Sequence, residues 1–362
     1  MNMKIIFGLK EALIGLALLT APVVVTAAGE PLKAGFVYVG PVGDGGWTFA
    51  HDQGRQAMEK ALAGKVKSTY VENVPEGADS ERVIRQLAAD GNKIIFTTSF
   101  GYMNPTLKVA ESFPQTHFAH ATGYKTSKNL GIYQARSWEG AYMLGVLAGK
   151  VTKSNIIGFV GSYPVPEVIR NIDAYTLGAQ SVNAAVKTKV IWVSSWYDPA
   201  RERQAAETMI AQGADVLSQN TDSPAVIQTA EEKGVYAFGW DSDMSRYGPK
   251  AHLVASTLNW SRYYTEAVKQ VLDGTWKPAE TLWGISEGMV VLTALSPAVP
   301  AATAKIFEEK KQAIASGKLL PFAGPILGQD GTVKVSAGTS MPMKELMSLN
   351  YYVKGVEGSI PK

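Results

Sequence analysis

Two stretches decide the fold: LAADGNKIIFTTSF, Leu87–Phe100, and MIAQGADVLSQNTD, Met209–Asp222. Each reads as the end of a helix, a glycine (Gly91, Gly213), an apolar strand and a polar tail. Downstream, NPTLKVAESFPQTHFAH (Asn104–His120) runs parallel to SPAVIQTAEEKGVYAFG (Ser223–Gly239). The glycines lie 122 residues apart, while Asn104 and Ser223 lie 119 apart, so the first copy carries a loop three residues longer. Two half-molecules of one topology are the natural reading.

Outward from these stretches, strand and helix patterns alternate. Leu32–Val39, Lys67–Val71, Lys93–Thr98 and His117–His120 read as strands of the first half. Asn155–Val160, Lys189–Val193, Asp215–Ser218, Val235–Gly239 and Leu253–Ser256 read as strands of the second. Between them, Asp79–Ala89 and Glu167–Ala184 carry apolar residues at helical spacing, the latter with Val168, Ile169, Ile172, Tyr175, Ala179 and Val182 on one face. Strands apolar on both faces and separated by helices indicate an α/β protein with parallel sheets covered by helices. A chain of 362 residues is long enough for two ordinary cores.

The start reads as an export signal. Lys4 and Lys10 precede an apolar run, Ala12–Val25, and small residues follow, giving expected cleavage after Ala27 or Ala28. The run is too short and interrupted for a comfortable membrane span. With no cysteine in the chain, disulfides, thiolate nucleophiles, thiolate metal sites and a lipid-anchored cysteine are excluded. The expectation is a periplasmic protein that is not a lipoprotein. Its net charge of +3 falls to +2 without the leader, which gives no electrostatic case for nucleic acid.

The residues trailing the strands carry the functional signal. Asp44 and Trp47 follow the first strand; Phe100, Tyr102 and Asn104 follow the third. Trp196 and Tyr197, then Asn220, then Trp240 and Asp241, then Asn259 follow later ones. In parallel α/β sheets the carboxyl ends of the strands share an edge where ligands bind. Aromatic faces beside Asn and Asp edges suit a flat, polar-edged heterocycle or a sugar. Trp138, Trp192, Trp276 and Trp283 read as packing anchors, and Asp198-Pro199 and Asp222-Ser223-Pro224 read as helix caps. The turn Gly40–Gly46 lacks the Lys-Ser/Thr of a P-loop. His117 and His120, three apart in a strand, point to opposite faces and make a poor metal pair. No catalytic set, metal site or cofactor emerges, so an enzyme is not expected.

KAGFVYVGPVGDGGWTFAHDQG (Lys33–Gly54) strongly resembles the basic membrane protein family of substrate-binding proteins for ABC transporters. WEGAYMLGVLAGKVTKSNII (Trp138–Ile157), GADVLSQ (Gly213–Gln219) and GWDSD (Gly239–Asp243) extend the likeness over essentially the whole mature chain. The resemblance implies a class I periplasmic-binding-protein fold, two Rossmann-like lobes joined by a three-crossover hinge. The lobes are expected at 29–131 plus 254–278 and at 132–253 plus 279–362, with crossings near residues 132, 253 and 279. It implies a purine nucleoside or base as ligand, and a membrane permease and an ATPase as partners. Trp47 then matches the aromatic that stacks on the base, Asn104 falls near an acid that reads its edge, Trp196 or Tyr197 supplies a second ring, and Asp241 matches the acid holding ribose hydroxyls. Asn259 stands where many members carry a ribose-directed lysine, which favours an adenine-like base without its sugar. The rival readings are an exported nucleoside-processing enzyme and a ligand-sensing protein that docks on a membrane receptor.

Overall fold

The computed structural model describes Met1, residues 30–43 and residues 45–361. The expected leader, Met1 apart, and Asp44 lie outside the described residues. The chain divides into Met1–Glu30 and a second unit, Pro31–Lys362, and both sheets belong to the second.

The first half builds β1 (Leu32–Val37), α1 (Gly46–Ala61), β2 (Val66–Val71), α2 (Ala78–Ala89), β3 (Ile94–Thr97), α3 (Met103–Ser112), β4 (His117–Ala121) and β5 (Leu130–Ala135). The second builds α4 (Ser137–Val151), β6 (Ile156–Gly161), α5 (Pro166–Gln180), β7 (Lys187–Trp192), α6 (Pro199–Ala211), β8 (Val216–Gln219), α7 (Ala225–Lys233), β9 (Tyr236–Asp241) and β10 (His252–Leu258). The chain then returns to the first half, where α8 (Ser261–Leu272) packs on α1 and β11 (Glu280–Trp283) pairs with β5. It crosses again to β12 (Val290–Leu292), antiparallel to β10, and to α9 (Ala301–Ala315) against α4. A small hairpin, β13 (Ile326–Leu327) with β14 (Val333–Val335), then α10 (Met343–Met347) and β15 (Val356–Glu357) beside β7 complete it.

The two sheets run β11-β5-β4-β3-β1-β2 and β12-β10-β9-β8-β6-β7-β15. Without the added edge strands, both have the same parallel order, and the repeated sequence stretches occupy equivalent places. Gly91 (φ +83°) and Gly213 (φ +95°) each end a helix in the left-handed region, where a β-carbon would be strained. The longer loop of the first copy holds a 3₁₀ turn, Phe100–Tyr102, between β3 and α3.

By sheet membership the chain crosses between lobes at Arg136, at Asn259–Trp260 and across residues 284–289. Each crossing falls several residues beyond the expected 132, 253 and 279. Periodicity marks a strand but does not say which sheet it joins, and β5, β10 and β11 each finish pairing before the chain leaves. Arg136 ties the first crossing to the third. Its guanidinium donates to Glu139 (2.5 Å), Glu287 (2.8 Å), Ser286 (3.0 Å) and the Leu282 carbonyl (2.8 Å).

The second lobe is organised around α4, which is buried nearly throughout. A helix apolar on all sides has to be covered on all sides, and here β10, α5 and α9 cover it. Its backbone lies against that of α5: a β-carbon on Gly145 would sit 2.0 Å from the Tyr175 carbonyl oxygen, and one on Gly178 would sit 2.0 Å from that of Tyr142. Gly145→Ala should force the helices apart and lower stability by about 1–3 kcal/mol or more, measured by urea denaturation.

Candidate functional site

A cleft lies where the two lobes face each other. Each residue that lines it follows the carboxyl end of a strand or ends one. From the first lobe come Val39, Trp47, Ser99, Phe100 and Thr122; from the second come Glu167, Trp196, Asn220, Asp222, Trp240 and Asp241. This is the edge where parallel α/β sheets bind ligands.

Trp47 is fixed in place. Its indole N–H donates to the Thr98 carbonyl (2.7 Å), and its ring meets His51 edge-on at 4.3 Å and Trp260 at 5.6 Å. His51 stacks on the fully buried Trp260, with 4.5 Å between centroids. Burial lowers the His51 pKa far enough to keep the imidazole neutral. Opposite, Trp196 packs on Tyr163 and directs its indole N–H at Glu76 Oε1 across the lobes (3.4 Å). The same oxygen accepts from Ser99 Oγ (2.5 Å) and Gly101 N (3.0 Å).

The lobes also meet at the start of α1. Gly45 provides no side-chain cap, so the first N–H groups of the helix need outside partners. The second lobe supplies them: Gly46 N–H donates to Ser242 Oγ (2.7 Å) and Trp47 N–H to Asp222 Oδ1 (3.2 Å). Glu202 holds the loop behind Asp222 by accepting from Thr221 (3.0 Å) and Ser223 (2.5 Å).

Among the described residues, three carboxyl groups line the cleft, and no lysine, arginine or histidine does. Burial first, and then the nearby Asp222 and Glu167 carboxyls, push the Asp241 pKa well up. Burial also raises Glu167, against the pull of Arg170. Asp222 is raised to about 7 by burial, although the Trp47 N–H favours its anion. Asp241 (φ +60°) and Thr122 (φ +65°) adopt left-handed backbone that costs non-glycine residues about 1–3 kcal/mol each. At Asp241 the Ser242 N–H turns back to the Trp240 carbonyl (2.7 Å), and the tight turn aims the carboxyl at the cleft.

Of the residues expected from sequence, Trp47, Phe100, Trp196, Asn220, Trp240 and Asp241 meet here, and Asp44 lies outside the described residues. Four are placed elsewhere. Tyr102 is fully buried in the first lobe and donates to the Val74 carbonyl (2.5 Å). Asn104 is exposed on α3 and accepts from Lys125 (2.8 Å). Tyr102 closes the 3₁₀ turn and Asn104 lies beyond it, so only Ser99 and Phe100 of that tail still face the cleft. Tyr197 is exposed because neighbours in non-helical chain point apart. Asn259 is exposed, its Oδ1 taken by the Ser261 N–H (3.2 Å) and hydroxyl. Sequence reasoning missed Val39, Ser99, Thr122, Glu167 and, as a cleft residue, Asp222. Asp222 carried the signal of a helix cap, and the helix it caps is α1 of the other lobe.

Two sheets of one topology around a shared cleft define a two-lobed binding protein. A solute-binding protein of an ABC transporter from Aeropyrum pernix K1 has this fold, with a TM-score of 0.70 at 20% identity, covering 82% of this chain and 94% of that one. Residues 32–319 match the family described as ABC transporter substrate-binding protein, PnrA-like, and the chain belongs to it. It is a binding protein, not an enzyme, as the opening motif led us to expect. A purine-binding protein of Brucella abortus (strain 2308) is 49% identical over 92% of this chain and 95% of its own length. A putative ABC transporter glucose-binding protein of Haloferax volcanii is 36% identical over 92% of this chain and 82% of its own.

An unfolded aspartate titrates near about 3.9, so between about pH 4 and pH 7 the folded chain keeps a proton on Asp222 that the unfolded chain has lost. The stability this proton contributes is fully present at acid pH and is lost as pH rises through that window. Asp222→Asn should flatten the fall in unfolding free energy over the same range, measured by urea denaturation at a series of pH values. An unchanged slope would place that proton on another group.

Proposed function

We propose that this protein is the periplasmic receptor of an ABC importer and captures an adenine-like purine base between its lobes. The observation that carries this reading is Trp47, an indole locked at the cleft wall and faced by carboxyl groups and an amide. A flat base stacks on such a ring for about 1–3 kcal/mol, and the polar groups then test its edge, because a ligand lacking the matching atoms leaves them unpaired. The purine-binding relative from Brucella supports a purine, and the absence of an ammonium or guanidinium in the lining supports a base over a nucleoside.

Closure about the three crossings is driven by the ligand only to the extent that it binds the closed form better. The closed form docks on a membrane permease that is energised by an ATPase. The leader directs export to the periplasm and is cleaved after Ala27 or Ala28.

Calorimetry with adenine, adenosine and glucose tests this. Adenine should bind tightest. Tighter adenosine would restore the nucleoside, and binding of glucose alone would favour the reading suggested by the Haloferax relative. Trp47→Ala should weaken adenine binding by about 1–3 kcal/mol; unchanged affinity would remove the indole from the site.

A further inference from the structure

The Asn220 amide is held from behind by a short buried relay. Ser137, the first residue of α4 after the Arg136 crossing, donates its hydroxyl proton to Asn171 Oδ1 (3.1 Å). Asn171, on α5, in turn donates Nδ2 to Asn220 Oδ1 (2.9 Å). Ser137 and Asn171 are buried, at 2% and 0% exposure, whereas Asn220 lines the cleft.

The direction of the relay follows from its inner end. Among the described residues Ser137 Oγ makes no other hydrogen bond, and reversing both amides would leave its buried proton without an acceptor. An unmade buried bond is costlier than a made one is favourable. With its oxygen turned back to Asn171, Asn220 presents its NH₂ group to the cleft, and no protein acceptor takes it among the described residues. Around it, Asp241 and Glu167 supply acceptors.

We propose that Asn171 is a positioning residue that fixes the Asn220 amide so that the cleft reads a lone pair, a ring nitrogen or carbonyl oxygen, at that edge of its ligand. The proposal rests on the purine reading for the identity of that ligand. An asparagine that pairs with adenine on its own uses NH₂ toward a ring nitrogen and its oxygen toward the amino group; here the oxygen is engaged by Asn171, so the NH₂ reads the ring and a neighbouring carboxyl is left to take the amino group.

Asn171→Asp provides the test. Aspartate can still accept from Ser137, but it offers a second oxygen to residue 220, whose NH₂ must turn inward and its oxygen outward. Calorimetry compares adenine with its 1-deaza, 3-deaza and 7-deaza analogues, each lacking one ring lone pair. In the wild type one analogue should bind at least about tenfold more weakly than adenine. In Asn171→Asp that deficit should shrink to about twofold or reverse. A deficit that persists in the variant, or no deficit for any analogue in the wild type, overturns the proposal.

If the aspartate variant does not fold, Asn171→Ala frees the Asn220 amide and should reduce the deficit at least about threefold; a full deficit overturns the proposal. Absence of adenine binding by the wild type would instead sink the purine reading. The relay is then still read without ligand, from hydrogen exchange of the Asn220 side-chain amide protons. These should exchange readily in the wild type and become protected in Asn171→Asp, and equal exchange in the two overturns the proposal.

Discussion

The cleft depends on how the first helix is capped. A helix leaves its first N–H groups unpaired, and a residue just before it usually supplies the missing acceptor. Here the preceding residue is Gly45, and the acceptors are Ser242 and Asp222 of the opposite lobe. The start of α1 is therefore completed only when the lobes are together. An anionic side chain is also favoured there by the helix dipole. The same contact seats the Trp47 backbone, so the ring that lines the cleft and a bond that joins the lobes belong to one residue.

Rigidity behind the cleft comes from groups that never touch it. His51, Trp260, Tyr264 and Tyr133 form a packed aromatic cluster under Trp47, with His51 Nδ1 and the Tyr264 hydroxyl 2.5 Å apart. Trp260 lies on the second crossing and meets the Trp47 ring edge-on, both directly and through the His51 stacked on it. On the other side Glu202 braces the loop carrying Asn220 and Asp222, and strained backbone at Thr122 and Asp241 is held by the sheets around it. Backbone strain of this kind persists only where the surroundings over-determine it.

Much of this is legible in the sequence. The repeated pattern around Gly91 and Gly213 announced two halves, and both sheets have the same strand order. The rule that strand ends converge brought Trp47, Trp196, Asn220 and Asp241 to one list. What failed did so for local reasons. A 3₁₀ turn that no spacing announces carried Tyr102 into the core and Asn104 to the surface. Asn259, placed by likeness to a lysine position, is occupied by its own neighbour Ser261. Glu167 lies at the start of α5, where an acidic residue reads as an ordinary helix beginning, and its place in the cleft depends on how the two lobes meet. The strand-to-sheet assignments that set the crossings are likewise non-local.

Gly46 shows how closely the two halves approach. It has φ +85°, and a β-carbon built on it would lie 2.3 Å from the Asp222 carbonyl oxygen. No side chain fits there; a single methyl group would act as a doorstop. Such a wedge would stand in the wall of the cleft itself, between the residue that precedes Trp47 and the backbone of Asp222. Seam and wall are thus one place in this fold: a methyl group that props the halves apart would also shift the Trp47 ring and the Asp222 carboxyl.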